Sequence, residues 1–244
     1  MAIIEVKNLC KSFRIPSVKR ETIREHFFSA FARTGYEELR VLDDISFEVA
    51  RGETVGIVGR NGSGKSTLLR ILAQIYQPDR GTVAVHAPIT PILELGAGWN
   101  GELTAEDNIL LTGTAMGLSL KELKSGLHEI LAFAELERFA NLELKHYSRG
   151  MSSRLAYSIA FQSVREILVL DEIFAVGDAA FNAKCQARYR ELTAAGRTVI
   201  IVGHDLNTIN DFCDRALLLE GGHIVLNDEP RRVIEAYLEM LGAA

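Results

Sequence analysis

Gly59-Arg-Asn-Gly-Ser-Gly-Lys-Ser-Thr67 is a glycine-rich run that ends in a lysine and two hydroxyl side chains. It fits the pattern G-x-x-x-x-G-K-[ST], with Gly59, Gly64, Lys65 and Ser66 at the fixed positions. The run before it, Glu53-Thr-Val-Gly-Ile-Val58, predicts a buried strand, and Thr67-Leu-Leu-Arg-Ile-Leu-Ala73 after it has helical spacing. A glycine-rich loop between strand and helix turns its N–H groups inward on phosphate oxygens. The positive end of the helix dipole adds to that attraction. The candidate phosphate contacts are Gly59, Asn61, Gly62, Ser63, Gly64, Lys65, Ser66 and Thr67. In this arrangement Lys65 reaches the β- and γ-phosphates and the Ser66 hydroxyl ligates Mg²⁺.

The second half of a nucleotide site lies more than a hundred residues on. Glu166-Ile-Leu-Val-Leu-Asp-Glu172 is an apolar strand ending in two carboxylates. Such a strand delivers Asp171 to the Mg²⁺ shell and leaves Glu172 beside the γ-phosphate, where it can orient or deprotonate water. Residues 197–202 predict another strand, and His204 just beyond it is a candidate γ-phosphate contact. Near the N-terminus, a strand over Ala2–Val6 is followed by Phe13, either a stacking partner for a purine or a core phenylalanine.

Composition bounds the rest. The 244 residues are 48% hydrophobic with a formal charge of −5, which does not favour general nucleic-acid binding. The three cysteines and six histidines show no metal spacing, and the cysteines read as reduced thiols of a cytosolic chain. The first residues lack the layout of a signal peptide, and no apolar run is long enough to span a bilayer. Residues 17–40 predict an amphipathic helix, with Ile23, Phe27, Phe28 and Phe31 on one side and Lys19, Arg20, Arg24 and Arg33 on the other. It either packs on its own domain or lies against a membrane or a partner. Residues 94–108 form a glycine-bearing loop around Trp99, which caps the core or anchors a contact. Residues 100–165 form a small helical subdomain, and residues 216–226 a hairpin around Gly221-Gly222.

Five elements in order carry a family resemblance over nearly the whole chain: Gly59–Thr67, Tyr147-Ser-Arg-Gly-Met151, Ile167–Glu172, Asp178 and His204. The chain resembles the ATP-binding subunits of ABC transporters. That resemblance implies an α/β P-loop NTPase core with an antiparallel β subdomain and a helical subdomain, in a single domain spanning 1–244. It also implies ATP and Mg²⁺ as ligands, and catalysis by Lys65, Glu172 and His204. In most members the signature reads L-S-G-G-Q; here Ser148 and Gly150 are kept and the rest differs. Most members also carry a glutamine after the second sheet, where Glu94 is the nearest candidate Mg²⁺ ligand. Leu93-Glu-Leu-Gly-Ala-Gly98, Arg154-Leu-Ala-Tyr-Ser158 and Ala175-Val-Gly-Asp178 resemble the branch that exports O-antigen, capsule or teichoic acid. That branch carries an extra amphipathic helix near its N-terminus.

Such subunits work as head-to-tail pairs, with ATP held between the phosphate loop of one copy and Ser148, Gly150 and Asp178 of the other. The implied partners are therefore a second copy, a membrane-spanning permease and, indirectly, a lipid-linked polysaccharide. The implied location is peripheral, at the cytoplasmic face of the inner membrane. A soluble ATPase of the same superfamily with a non-transport role is the alternative reading.

Overall fold

Residues 54–58, 167–171 and 198–202 are short, almost wholly apolar runs that favour strands covered on both faces. A computed structural model describes residues 2–16, 36–93, 96, 98–171, 178–203 and 205–242. These runs become β3 (Thr54–Val58), β6 (Ile167–Asp171) and β7 (Thr198–Val202). With β5 (Ile89–Ile92), β8 (Arg215–Glu220) and β9 (His223–Asp228) they form a six-stranded sheet in the order β5-β6-β7-β3-β8-β9. It is parallel except for the β8–β9 hairpin. Every residue of β3 and β7 is buried.

A second sheet, order β2-β1-β4, is antiparallel and built from β1 (Ala2–Pro16), β2 (Tyr36–Ala50) and β4 (Arg80–Val85). Between the sheets runs α1 (Lys65–Leu72), which buries Leu68, Leu69, Ile71 and Leu72 in an apolar cluster shared with Ile4, Leu42 and Ile57. The other face of the parallel sheet is covered by α5 (Ala179–Ala194), α6 (Leu206–Phe212) and α7 (Pro230–Gly242) through Phe181, Tyr189, Ile209 and Val233.

The helical region holds α2 (Ala105–Ala115), α3 (Leu120–Ala134) and α4 (Arg149–Gln162) around Ile109, Leu123, Ile130, Leu155 and Ile159. Each begins at a side-chain cap. Thr104 accepts from the Asp107 N–H, Ser119 and Glu122 form a reciprocal capping box, and Ser148 accepts from Met151 N–H. Trp99 packs against this cluster. No helix among the described residues is long and apolar enough to cross a membrane.

The N-terminal reading needs one correction. Residues 17–35 of the expected amphipathic helix lie outside the described residues, but Tyr36–Arg40 are strand, not helix. They pair with the end of β1, Ser12 opposite Arg40, Phe13 opposite Leu39 and Pro16 opposite Tyr36. Ladder hydrogen bonds from a strand twenty residues away outweigh the local helical spacing. β1 likewise runs well beyond Val6. Asn8 takes a left-handed φ of 48° at a register shift and hydrogen-bonds Asp44 at 2.8 Å.

Candidate functional site

The loop between β3 and α1 is shaped by what cannot fit there. A Cβ on Gly59 would collide with the Leu219 carbonyl oxygen and lie 2.7 Å from Ser63 Oγ. Gly64 has a φ of 107°, and a Cβ there would stand 2.7 Å from Leu42 Cδ2 and 2.9 Å from the Val41 carbonyl oxygen. These glycines let the backbone pass close enough to curl around an anion. Lys65 is only 7% exposed, and its ammonium donates to the Gly59 carbonyl at 2.7 Å and the Arg60 carbonyl at 2.9 Å. Ser63 Oγ is buried with no hydrogen-bond partner. The first turn of α1 has no side-chain cap, so its N–H groups face the loop's cavity without a competing acceptor from a capping residue.

That cavity has a volume of about 550 Å³. Of the expected phosphate contacts, Asn61, Gly62, Gly64, Lys65, Ser66 and Thr67 line it, whereas Gly59 and Ser63 are not among its lining residues. Asp171 lines it too, brought from the end of β6, where it pairs with Val202 of β7. A buried cation, a loop a Cβ would fill, an unpartnered buried hydroxyl, and a hydroxyl and a carboxylate on one cavity wall suit a nucleoside triphosphate with a divalent cation. Ser66 and Asp171 are the residues that would hold that cation. Among the described residues no cluster of three or more His, Cys, Asp or Glu forms an independent metal site.

Phe13 does not line the cavity. Its ring meets Tyr76 edge-on, with centroids 5.8 Å apart. Leu39 and Val41 of β2 line it instead, residues that sequence reasoning missed. Parity gave no signal, because the buried alternation of Ile45, Phe47 and Val49 shifts to Leu42 across Asp44, whose φ is 54°, and this turns Leu39 and Val41 away from the buried face. Glu94, Glu172 and His204 lie outside the described residues.

Ser148, Gly150 and Asp178 come together elsewhere, around a second cavity of about 810 Å³. It shares no lining residue with the first. Ser148 caps α4 and Gly150 occupies its first turn, so the positive end of the helix faces the cavity. Asp178 caps α5 through the Phe181 N–H at 2.9 Å and pairs with Arg154. Arg154 also bonds Glu135 at 2.7 Å and lies over the Phe181 ring at 5.2 Å. It therefore ties the end of α3, the signature helix α4 and the start of α5 together. Sequence reasoning gave Arg154 no such role, because both its carboxylates are distant in the chain. The Phe181 N–H, followed by Arg154, holds the Asp178 carboxyl below its ordinary value against the opposing effect of burial.

Comparison with known proteins agrees with this geometry. A sequence profile described as "ABC transporter" matches residues 42–175. The chain is 42% identical over 202 residues to the ABC transporter protein AbcA of Aeromonas salmonicida, covering 83% of this chain and 66% of that one. It is 36% identical over 252 residues to the O-antigen export system ATP-binding protein RfbB of Myxococcus xanthus, covering 100% of this chain and 57% of the relative. It is 32% identical to the teichoic acids export ATP-binding protein TagH of Staphylococcus epidermidis, covering 96% of this chain and 87% of the relative. The first two relatives are thus substantially longer than this chain. Among solved structures, an ATP-binding subunit of an ABC transporter superposes with a TM-score of 0.76 at 25% identity, covering 98% of this chain and 99% of that one. A dimeric cassette in a post-hydrolysis state bound to ADP and phosphate superposes with a TM-score of 0.73 at 25% identity, covering 93% and 99%.

Proposed function

The chain belongs to the ABC transporter family of ATP-binding cassettes, and from that premise we propose that it binds and hydrolyses ATP as one half of a head-to-tail pair. The observation that carries this reading is the separation of two phosphate-directed cavities in one chain, with no residue in common. The phosphate-loop cavity offers Lys65 and loop N–H groups to the phosphates. The second cavity offers the N-terminus of α4, while its two carboxylates, Glu135 and Asp178, are both paired with Arg154. Two copies arranged head to tail bring one cavity of each to the same nucleotide, as the dimeric form of the ADP- and phosphate-bound cassette supports.

In that pair Lys65 and the loop N–H groups balance charge on the transferring phosphoryl group, and the α4 dipole of the second copy adds to them. Mg²⁺, held by Ser66 and Asp171, would neutralise the phosphate oxygens. Glu172 orients or deprotonates the attacking water, and His204 contacts the γ-phosphate. The energy released drives export of a lipid-linked polysaccharide, of O-antigen or teichoic acid type, through a membrane-spanning partner. The names of the RfbB and TagH relatives support that cargo. The subunit then sits peripherally at the cytoplasmic face of the membrane.

Mixed subunits test the pairing. Lys65→Ala subunits alone and Gly150→Asp subunits alone have no intact site. Mixed together, a trans arrangement regenerates one intact site per mixed dimer, or roughly a quarter of the wild-type sites for random pairing. Hydrolysis in the mixture that never exceeds that of either variant alone would refute it. Reconstitution with the membrane partner and a lipid-linked glycan tests the cargo.

A further inference from the structure

We propose that the guanidinium of Arg149 is a further catalytic cation, which one copy delivers to the terminal phosphate of the nucleotide held by the other. The proposal rests on the paired reading above and deepens it. In the L-S-G-G-Q form of the signature the same position is glycine, so this charge is an addition to the contacts expected of Ser148 and Gly150.

Arg149 is the first residue of α4, directly after the Ser148 cap. A cation there faces the positive end of the helix dipole, where it is unfavourable. No acidic residue in that first turn offsets it. Helices α2 and α3 do the reverse, opening with Glu106 and Asp107 and with Glu122. Arg149 is exposed and lines the second cavity. Its guanidinium has no hydrogen bond or ion pair among the described residues. The carboxylates of the same cavity do not answer it, because Glu135 and Asp178 are both paired with Arg154 and Glu135 also with Lys184 at 3.5 Å. A cation kept at the unfavourable end of a helix without a partner in its own chain serves something other than that chain's stability.

Access to Arg149 is left open by Gly150. A Cβ there would meet only Ser148 Oγ, at 3.9 Å, so packing within the chain does not call for glycine at a helical position that disfavours it. The bare backbone lets a bulky anion reach the helix end and the guanidinium together. Arginine matches phosphate oxygens two at a time through its planar fork of N–H donors. Its long, exposed side chain can cross an interface, whereas Lys65 is buried against its own loop. In the pair the two cations flank the transferring phosphoryl group, Lys65 from one copy and Arg149 from the other.

Three variants separate this role from a structural one. Arg149→Gln, of similar length and helix propensity, should unfold at an unchanged or higher urea midpoint and bind ATP unchanged at protein concentrations too low for pairing. Where pairs form, its hydrolysis should fall about tenfold. Arg149→Glu should raise the urea midpoint above wild type, because an acid suits that turn, and lower hydrolysis at least as far. Arg149→Lys keeps the charge without the fork and should lie between wild type and Arg149→Gln. Stability and hydrolysis moving in opposite directions is the expected signature. Wild-type hydrolysis in Arg149→Gln would overturn the proposal. So would a lower urea midpoint with weaker single-subunit ATP binding, the mark of a role within its own copy. Pair formation weakened as much with ADP as with ATP would overturn it too, because Arg149 would then meet protein and not the terminal phosphate. If Lys65→Ala and Gly150→Asp subunits fail to complement each other, the paired reading fails and takes this proposal with it, whereas wild-type hydrolysis in Arg149→Gln removes this proposal alone.

Discussion

The two cavities are built by different means. Around the phosphate loop, shape comes from backbone: glycines that exclude any Cβ, and a lysine folded onto the carbonyl oxygens of its own loop. Around Ser148, shape comes from side chains: a hydroxyl cap, and an arginine shared between Glu135 and Asp178. Packed backbone yields little, whereas exposed ion pairs exchange readily with water. The first cavity is therefore set before a ligand arrives. The second is held by exposed contacts weak enough to rearrange.

The largest expected break is Lys65→Ala. It removes the one buried cation of the first cavity's described lining, and ATP hydrolysis should fall by about 10²- to 10³-fold. Steady-state hydrolysis at saturating ATP is the measurement, and a loss under tenfold would mean that the loop's N–H groups suffice. Next comes a pair of glycine substitutions. Gly59→Ala puts a methyl group against the Leu219 backbone, which cannot move aside as a flexible side chain can. A loss of about 3 kcal/mol in denaturant unfolding is expected. Gly62→Ala has open space and only the strain of its φ of 82°, so about 1 kcal/mol is expected. Equal losses would show that the crowding at Gly59 is relieved by a small shift of the Leu219 backbone.

Ser148→Ala probes the other cavity more gently. Its loss of the Met151 N–H contact should cost about 1 kcal/mol of stability. Hydrolysis should fall while ATP binding by a single subunit is unchanged. A weakened single-subunit affinity would place Ser148 on its own copy's nucleotide and remove the distinction between the cavities.

How far each region could be read in sequence follows from the same difference. The phosphate loop, β3, β6 and β7 were legible because their signals are local: fixed glycine spacing and unbroken apolar runs. The Tyr36–Arg40 strand was not, because its structure comes from pairing with Ser12–Pro16, and nothing within five residues distinguishes that strand from a helix end. Phe13 was visible as an aromatic near the site, but its ring direction depends on Tyr76, more than sixty residues away. Arg154 could be named but not placed, since Glu135 and Asp178 stand 19 and 24 residues from it.

The smallest expected effect is electrostatic and appears only in the second cavity. Asp178 is held below its ordinary value of 3.8, first by the Phe181 N–H and then by Arg154. A carboxyl depressed on folding adds stability that is fully present above the unfolded value and is lost as pH falls through the lower folded value. Asp178→Asn keeps a capping oxygen but removes the charge. Wild type should therefore exceed Asp178→Asn in stability at pH 6, and the two should converge as pH drops below 3.8. A gap that stays constant over that range would mean that the charge plays no part and Arg154 is indifferent to it. The Gly59→Ala deficit should stay level across the same pH range relative to wild type, because a steric clash with a carbonyl oxygen has no proton to gain or lose.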